Sequence, residues 1–155
     1  PASAAPVSRA RRCVYETVPD DISHRLAVAD AVALPAVANA LAALPKSAEA
    51  TVVRVDGHHD YPLAPNDRTT LVTAPHDLEG IVAAVCDLDL PASAHAFVHG
   101  EAAMVRPMRR HLRIERGLPK DRVQLSAYWF AGRDADGWRA MKQDFNRSME
   151  AESGD

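Results

Sequence analysis

The sequence predicts an α/β domain: a doubly wound, mainly parallel sheet of about five strands with helices on both faces. Three observations predict it. Short aliphatic or β-branched runs alternate with segments whose apolar residues recur every three or four positions. Strands separated by helices pair in parallel through right-handed crossovers. The length, 155 residues, suits one domain with one sizeable core.

The elements follow in order. His24–Asp30 (HRLAVAD) is a compact apolar run suited to a buried strand. Leu34, Val37, Leu41 and Leu44 then form one helical stripe, with Pro35 near its start and Pro45 at its end. Thr51–Asp56 is a second strand, Gly57–Asn66 a loop with Pro62 and Pro65, and Thr69–Thr73 a third strand. Asp77 suits an N-cap ahead of the stripe Leu78, Ile81, Val82 and Val85. Ala94–His99 is a fourth strand that ends at Gly100-Glu101. A helix follows to Arg116, with Gly117 as its stop. Met104, Val105, Met108 and Leu112 face inward there, and Arg106, Arg109, Arg110 and Arg113 form an outward arc. Pro107 inside that segment would cost about 3 kcal/mol, so the helix is expected to start later or to bend there. Val123–Trp129 is the last strand, and Ala135–Met149 a C-terminal helix with Trp138, Met141, Phe145 and Met149 in one stripe. Residues 1–12 are expected to be a flexible arm, 13–150 the single domain and 151–155 a tail.

Composition narrows the function classes. Apolar residues make up 47% and charged residues 25%, a globular balance, while aromatics are only 5%, so the core is expected to be aliphatic. A net charge of −3 argues against a general electrostatic grip on nucleic acid. No apolar run reaches membrane-spanning length and no signal peptide is recognisable, which gives a cytoplasmic expectation. Cys13 and Cys86 form no CxxC pair and read as free thiols. His58-His59 lie in a loop, and His95 and His99 share one strand face. No carboxylate or thiol stands at ligand spacing, so no metal site is expected. No nucleophile elbow and no phosphate-binding glycine loop of the Walker type occurs, and no catalytic residue is assigned.

In an open parallel sheet, ligands bind beyond the carboxyl ends of the strands. Three places qualify. Asp30–Pro35 is a strand-to-helix turn whose backbone amides could face a phosphate, or a plain structural turn. Gly100-Glu101 ends the fourth strand, where glycine permits close approach of a flat ligand and the carboxylate suits a helix start. Tyr128-Trp129 ends the last strand and could stack on an aromatic ligand or pack against the C-terminal helix. The arginine arc could hold a phosphate or an acidic partner, or be a solvated helix face.

Several stretches carry a resemblance. LAVADAVALPAVANALAALP resembles a strand followed by a Gly-Asp-Glu-Thr-Ala-Leu-Pro-Ala turn. DYPL resembles a short Pro-Leu word after the second strand. AFVHGEAAMVRPMRRHLRIERGLPKDRVQLSAYWFAG resembles a Gly-Glu-Ala strand end, a Val-Arg-x-x-Arg-Arg-His-Leu helix, an Arg-Gly-Leu loop and a Tyr-Trp strand. These are words of the siderophore-interacting proteins, flavin-dependent ferric-siderophore reductases, and the resemblance runs from about Tyr15 to Gly132.

The resemblance implies a C-terminal domain of the ferredoxin-reductase type that presents NADPH or NADH to a flavin. In such proteins the flavin (FAD) sits on a separate N-terminal β-barrel, and reduced flavin passes electrons to a siderophore-bound ferric ion. It assigns Asp30 and Pro35 to the pyrophosphate turn, Gly100 and Glu101 to the nicotinamide end, and Tyr128 and Trp129 to the aromatic strand near flavin and substrate. The expected partner is a flavin-binding barrel, as a domain or a protein, with the ferric siderophore engaged indirectly. Oxidoreductase activity is expected only when that barrel is joined. The chain departs from the family words at Ala29, Ala31, Val32, Phe130 and Ala131. Those departures keep open an alternative, a non-catalytic relative that binds a protein partner or small ligand.

Overall fold

The computed structural model describes residues 21–57, 61–63 and 65–154. The expected arm at 1–12, Cys13 and the His58-His59 pair lie outside the described residues. The chain folds in the order β1 (His24–Ala29), α1 (Leu34–Ala42), β2 (Glu49–Val55), β3 (Thr69–Ala74), α2 (Leu78–Cys86), β4 (His95–Glu101), α3 (Ala102–Arg110), a π-helical turn (His111–Glu115), a short 3₁₀ turn (Lys120–Arg122), β5 (Val123–Trp129) and α4 (Ala135–Ser153). The five strands form one sheet, ordered β3-β2-β1-β4-β5, and all four pairings are parallel. The expected sheet and its number of strands are therefore present. Residues 151–153, expected in the tail, continue α4.

Alternation along the strands builds a core on each face. Leu26, Val28, Val53, Ala96, Val98 and Ala127 pack under α2, α3 and α4, with Met104, Val105, Met108 and Leu112 of the third helix fully covered. Ala27, Ala29, Val52 and Phe97 pack on the other face against Leu34 and Val37 of α1. Trp138, Phe145 and Met149 bury the apolar stripe of α4 in its own domain, where Trp138 meets Phe145 edge-on at 5.4 Å. Asp77 caps α2 as expected, accepting from the Gly80 amide at 2.6 Å.

Of the two expectations at Pro107, the later helix start is not what the structure shows: α3 begins at Ala102 and runs through the proline. Proline removes one helical donor and crowds the carbonyl four residues back. The buried stripe on this same helix offsets that penalty. The departure from α geometry comes after Arg110, where the Arg116 amide donates to the His111 carbonyl at 2.9 Å. Arg116 can only donate, so its 2.9 Å contact makes His111 Nε2 an acceptor and leaves Nδ1–H for Glu115 at 2.8 Å. No helix among the described residues is long and apolar enough to cross a membrane.

Candidate site at the carboxyl edge of the sheet

The chain leaves β1 towards β2 on one side, and β4 lies on the other. The carboxyl ends of β1 and β4 thus flank the topological switch point, where open α/β sheets take ligands. Asp30, Gly100 and Glu101 meet there, as the sequence predicted, and Trp129 joins them from β5.

Asp30 is the hub. It is 5% exposed and accepts four hydrogen bonds. One oxygen takes the amides of Val32 and Ala33 at 3.1 and 3.2 Å, which closes the turn into α1. The other takes the Glu101 amide and the Trp129 indole N–H, both at 2.8 Å. A carboxylate can bury here because every bond reaches its charged form. The same carboxylate ties β1, β4 and β5 together across the switch point.

Gly100 follows from that hub. Its φ is +143°, a conformation that residues with a Cβ rarely adopt, and a Cβ there would sit 2.7 Å from the Asp30 carboxylate. The close approach that glycine permits is therefore used by Asp30 and by Met104. Glu101 is also engaged: one oxygen caps α3 through the Met104 amide at 3.2 Å, and the other accepts from the Ala131 amide at 3.1 Å. A bulge opposite Gly100 and Glu101 leaves Tyr128 as the extra residue on β5 and aligns Trp129 with Glu101.

Tyr128 points to the α1 face of the sheet, where its hydroxyl lies 2.7 Å from His99 Nδ1. His99 is 7% exposed, stacks on Phe97 at 3.8 Å, and its Nε2 has no partner among the described residues. Burial, with a smaller contribution from Lys142, lowers its pKa to about 4, so the ring is neutral at physiological pH. Sequence reasoning placed His99 on a strand face with His95 but missed its role in holding Tyr128. Its signal was a polar ring directly before the strand-end Gly-Glu. Burial, then Arg25 and Arg122, also lowers the pKa of His95. No group of three or more His, Cys, Asp or Glu among the described residues could hold a metal ion.

The edge can be tested for fit to a nicotinamide nucleotide. In the turn, the Val32 and Ala33 amides are held by Asp30 Oδ1, and Pro35 supplies no N–H. Those two amides are not offered to a phosphate while Asp30 stays in place. The aromatic end fits a flat ring better: Tyr128 is exposed, its hydroxyl is anchored, and Trp129 is half-buried with its indole N–H fixed.

A five-stranded parallel sheet of this order with a helix-start turn at its switch point defines a ferredoxin-reductase-like α/β domain. The family described as siderophore-interacting protein matches residues 22–132, and the chain belongs to that family. An uncharacterised protein of Mycobacterium tuberculosis is 35% identical over 151 residues, covering 84% of this chain and 51% of the relative. The mycobactin import ATP-binding/permease protein of Mycolicibacterium thermoresistibile is 28% identical over 125 residues, 76% of this chain and 14% of its own length. The crystal structure of the siderophore-interacting protein SipS from Aeromonas hydrophila superposes with a TM-score of 0.72 at 26% identity, covering 81% of this chain and 53% of SipS. The chain thus spans about half the length of the uncharacterised relative and of SipS, and corresponds to the C-terminal domain of the family.

Proposed function

We propose that this chain is the NAD(P)H-binding domain of a flavin-dependent ferric-siderophore reductase that works in iron release, with the flavin carried by a barrel in another segment or another protein. The observation that supports the reading is an exposed aromatic rim, Tyr128 held by His99, at the switch point of a siderophore-interacting fold. Bound NADPH or NADH would supply a hydride to that flavin. The chain's own residues position rather than react. Asp30 sets the crevice walls, and His99 holds the Tyr128 ring at the rim, beside Trp129. The reading places the domain in the cytoplasm, with the nicotinamide nucleotide pool.

Calorimetric titration of the purified chain with NADPH, NADH and FAD tests it. The expected result is saturable binding of one reduced nucleotide, no tight FAD binding and no ferric reduction by the chain alone. Absence of nucleotide binding at millimolar concentration would reject this reading.

One observation favours a second reading, a non-catalytic relative that binds a protein or small ligand. The amide donors of the α1 turn are occupied by Asp30, and Val32 beside them is 58% exposed with an apolar side chain. A nucleotide-blind chain that retains a protein partner in pull-down would establish it.

A further inference from the structure

Strand β3 stands at the outer edge of the sheet, and no described strand pairs with its far side. Its six residues, Thr69–Ala74, contain no charge and no proline, and their pairing with β2 runs without a bulge. Charges, prolines and bulges are the features that keep a sheet edge from pairing with another chain. The edge also carries apolar surface: Leu71 is 45% exposed, and Leu78, in the first turn of α2, is 43% exposed.

The ladder fixes which backbone groups point outward. The Arg68 and Ala74 carbonyls accept from the Ala50 and Asp56 amides on the β2 side. In a paired strand alternate residues bond to the same neighbour. Residues 68, 70, 72 and 74 therefore face β2, and Thr69, Leu71 and Thr73 turn their N–H and C=O groups outward. The Thr69 amide is held by the Asn66 carbonyl at 3.0 Å.

An antiparallel copy of this same edge matches those groups. With Leu71 opposite its own counterpart on a two-fold axis, the two residues exchange both backbone bonds. Each Thr73 N–H then meets the Thr69 carbonyl of the other copy. The side chains pair as Leu71 with Leu71 and Thr69 with Thr73, apolar and hydroxyl pairs of the kind that stabilise sheets. The ends match in charge as well. Arg68 stands at the amino end of β3, and Asp77 and Glu79 follow its carboxyl end. Antiparallel pairing brings the first to the second at both ends, and Asp67 falls opposite Pro75-His76. Arg68 donates only to the Ser47 carbonyl, at 3.4 Å, and Asp77 accepts only from the Gly80 amide, so neither charge is already ion-paired.

We propose that the outer edge of β3 is a self-association surface that takes the β3 edge of a second copy of this chain, antiparallel, and joins the two sheets into one. Strand β2 separates β3 from the switch-point strand β1, so the inference does not rest on the nucleotide reading.

Two six-residue edges cover less than the roughly 1,200 Å² of a stable interface, so dimer formation is expected at about 100 µM. Sedimentation velocity of the whole chain, from about 10 µM to about 1 mM, tests it. The expected result is a reversible shift from monomer that stops at the dimer. Leu71→Lys sets two like charges face to face on the axis and should weaken the dimer at least about tenfold. Arg68→Glu should weaken it at low salt and have less effect at high salt. Ile114→Lys, the same charge added at an exposed apolar residue of the π-helical turn, should leave it intact. All three positions are exposed, so the variants should keep the melting temperature. A chain that stays monomeric throughout, an undiminished dimer in Leu71→Lys, or equal losses in Leu71→Lys and Ile114→Lys would each overturn the proposal.

Discussion

Replacing Gly100 by alanine tests the account of the carboxyl edge most directly. The new methyl would lie 2.7 Å from Asp30 Cγ and Oδ2, and 2.9 Å from Met104 Cε. The methionine tip can move aside, but the carboxylate is held by four donors. Backbone strain at φ +143° costs about 1–3 kcal/mol for a residue with a Cβ. Displacing Oδ2 weakens its bonds to the Glu101 amide and the Trp129 indole, each worth about 1.5–3 kcal/mol as a bond to a charged group. A loss of about 4 kcal/mol is expected, a large share of the stability of a domain this size. Gly132→Ala supplies the comparison: φ is +78°, yet nothing lies within 4 Å of the added methyl. That variant should lose only about 1 kcal/mol, the backbone contribution alone. Urea unfolding followed by far-UV circular dichroism measures both. Equal losses in the two variants would refute the claim that Asp30 is what requires glycine at position 100.

Two further perturbations probe the same edge. Asp30→Asn keeps the shape but turns an NH₂ group towards amide or indole donors, so two bonds are lost and buried donors are left unmatched. The expected cost is about 2–5 kcal/mol by urea unfolding, and an unchanged midpoint would show that the carboxylate hub is not required. His99 gives a pH signature. Its pKa of about 4 in the folded chain lies below the ordinary 6.5, so the unfolded chain binds the proton first as pH falls. The contribution of neutral His99 is complete above pH 6.5 and is lost as pH drops towards 4, up to about 3 kcal/mol in all. His99→Gln should flatten that part of the stability profile between pH 6.5 and 4, and a profile with unchanged slope would remove His99 as the cause.

Much of the fold was legible because periodicity and punctuation agreed. The run Val123–Trp129 is β5 to the residue, and the stripe Met104, Val105, Met108, Leu112 is the buried face of the third helix. At Pro107 the expected later start failed because a local penalty was weighed without the packing that offsets it. The three strand ends were legible as a set, since topology alone brings β1, β4 and β5 to one edge. What each residue does there was not. Whether a carboxylate faces a ligand or the chain's own amides depends on neighbours 71 and 99 residues away, as Glu101 and Trp129 show for Asp30. The arginine arc was half legible: its helical spacing was evident, but its partners Ser148, Glu152 and Ser153 come from a second helix whose packing no local pattern reveals.

The pattern of retained and altered residues at the first turn then has a physical explanation that does not invoke a nucleotide. Asp30, the Glu101 amide and the Trp129 indole form one hydrogen-bonded unit joining three strands, Gly100 leaves room for its carboxylate, and losing Asp30 would strand the donors it holds. Ala29 lies in the α1-side core with Ala33, Leu34 and Val37, where a methyl fills space that glycine would leave empty. Ala31 and Val32 stand outside the unit as side chains, because only the Val32 amide is used. Family words at the carboxyl edge therefore report first on the scaffold. The residues whose identity can respond to a ligand are those that the unit leaves at the rim: Val32, and Tyr128 as His99 presents it. Substituting Tyr128 by leucine separates the two readings. A nucleotide or flavin that stacks at the rim would lose affinity, whereas a partner bound elsewhere would be unaffected; either way the loss of the His99 Nδ1 partner costs about 1–3 kcal/mol of stability, so binding is compared well below the melting temperature.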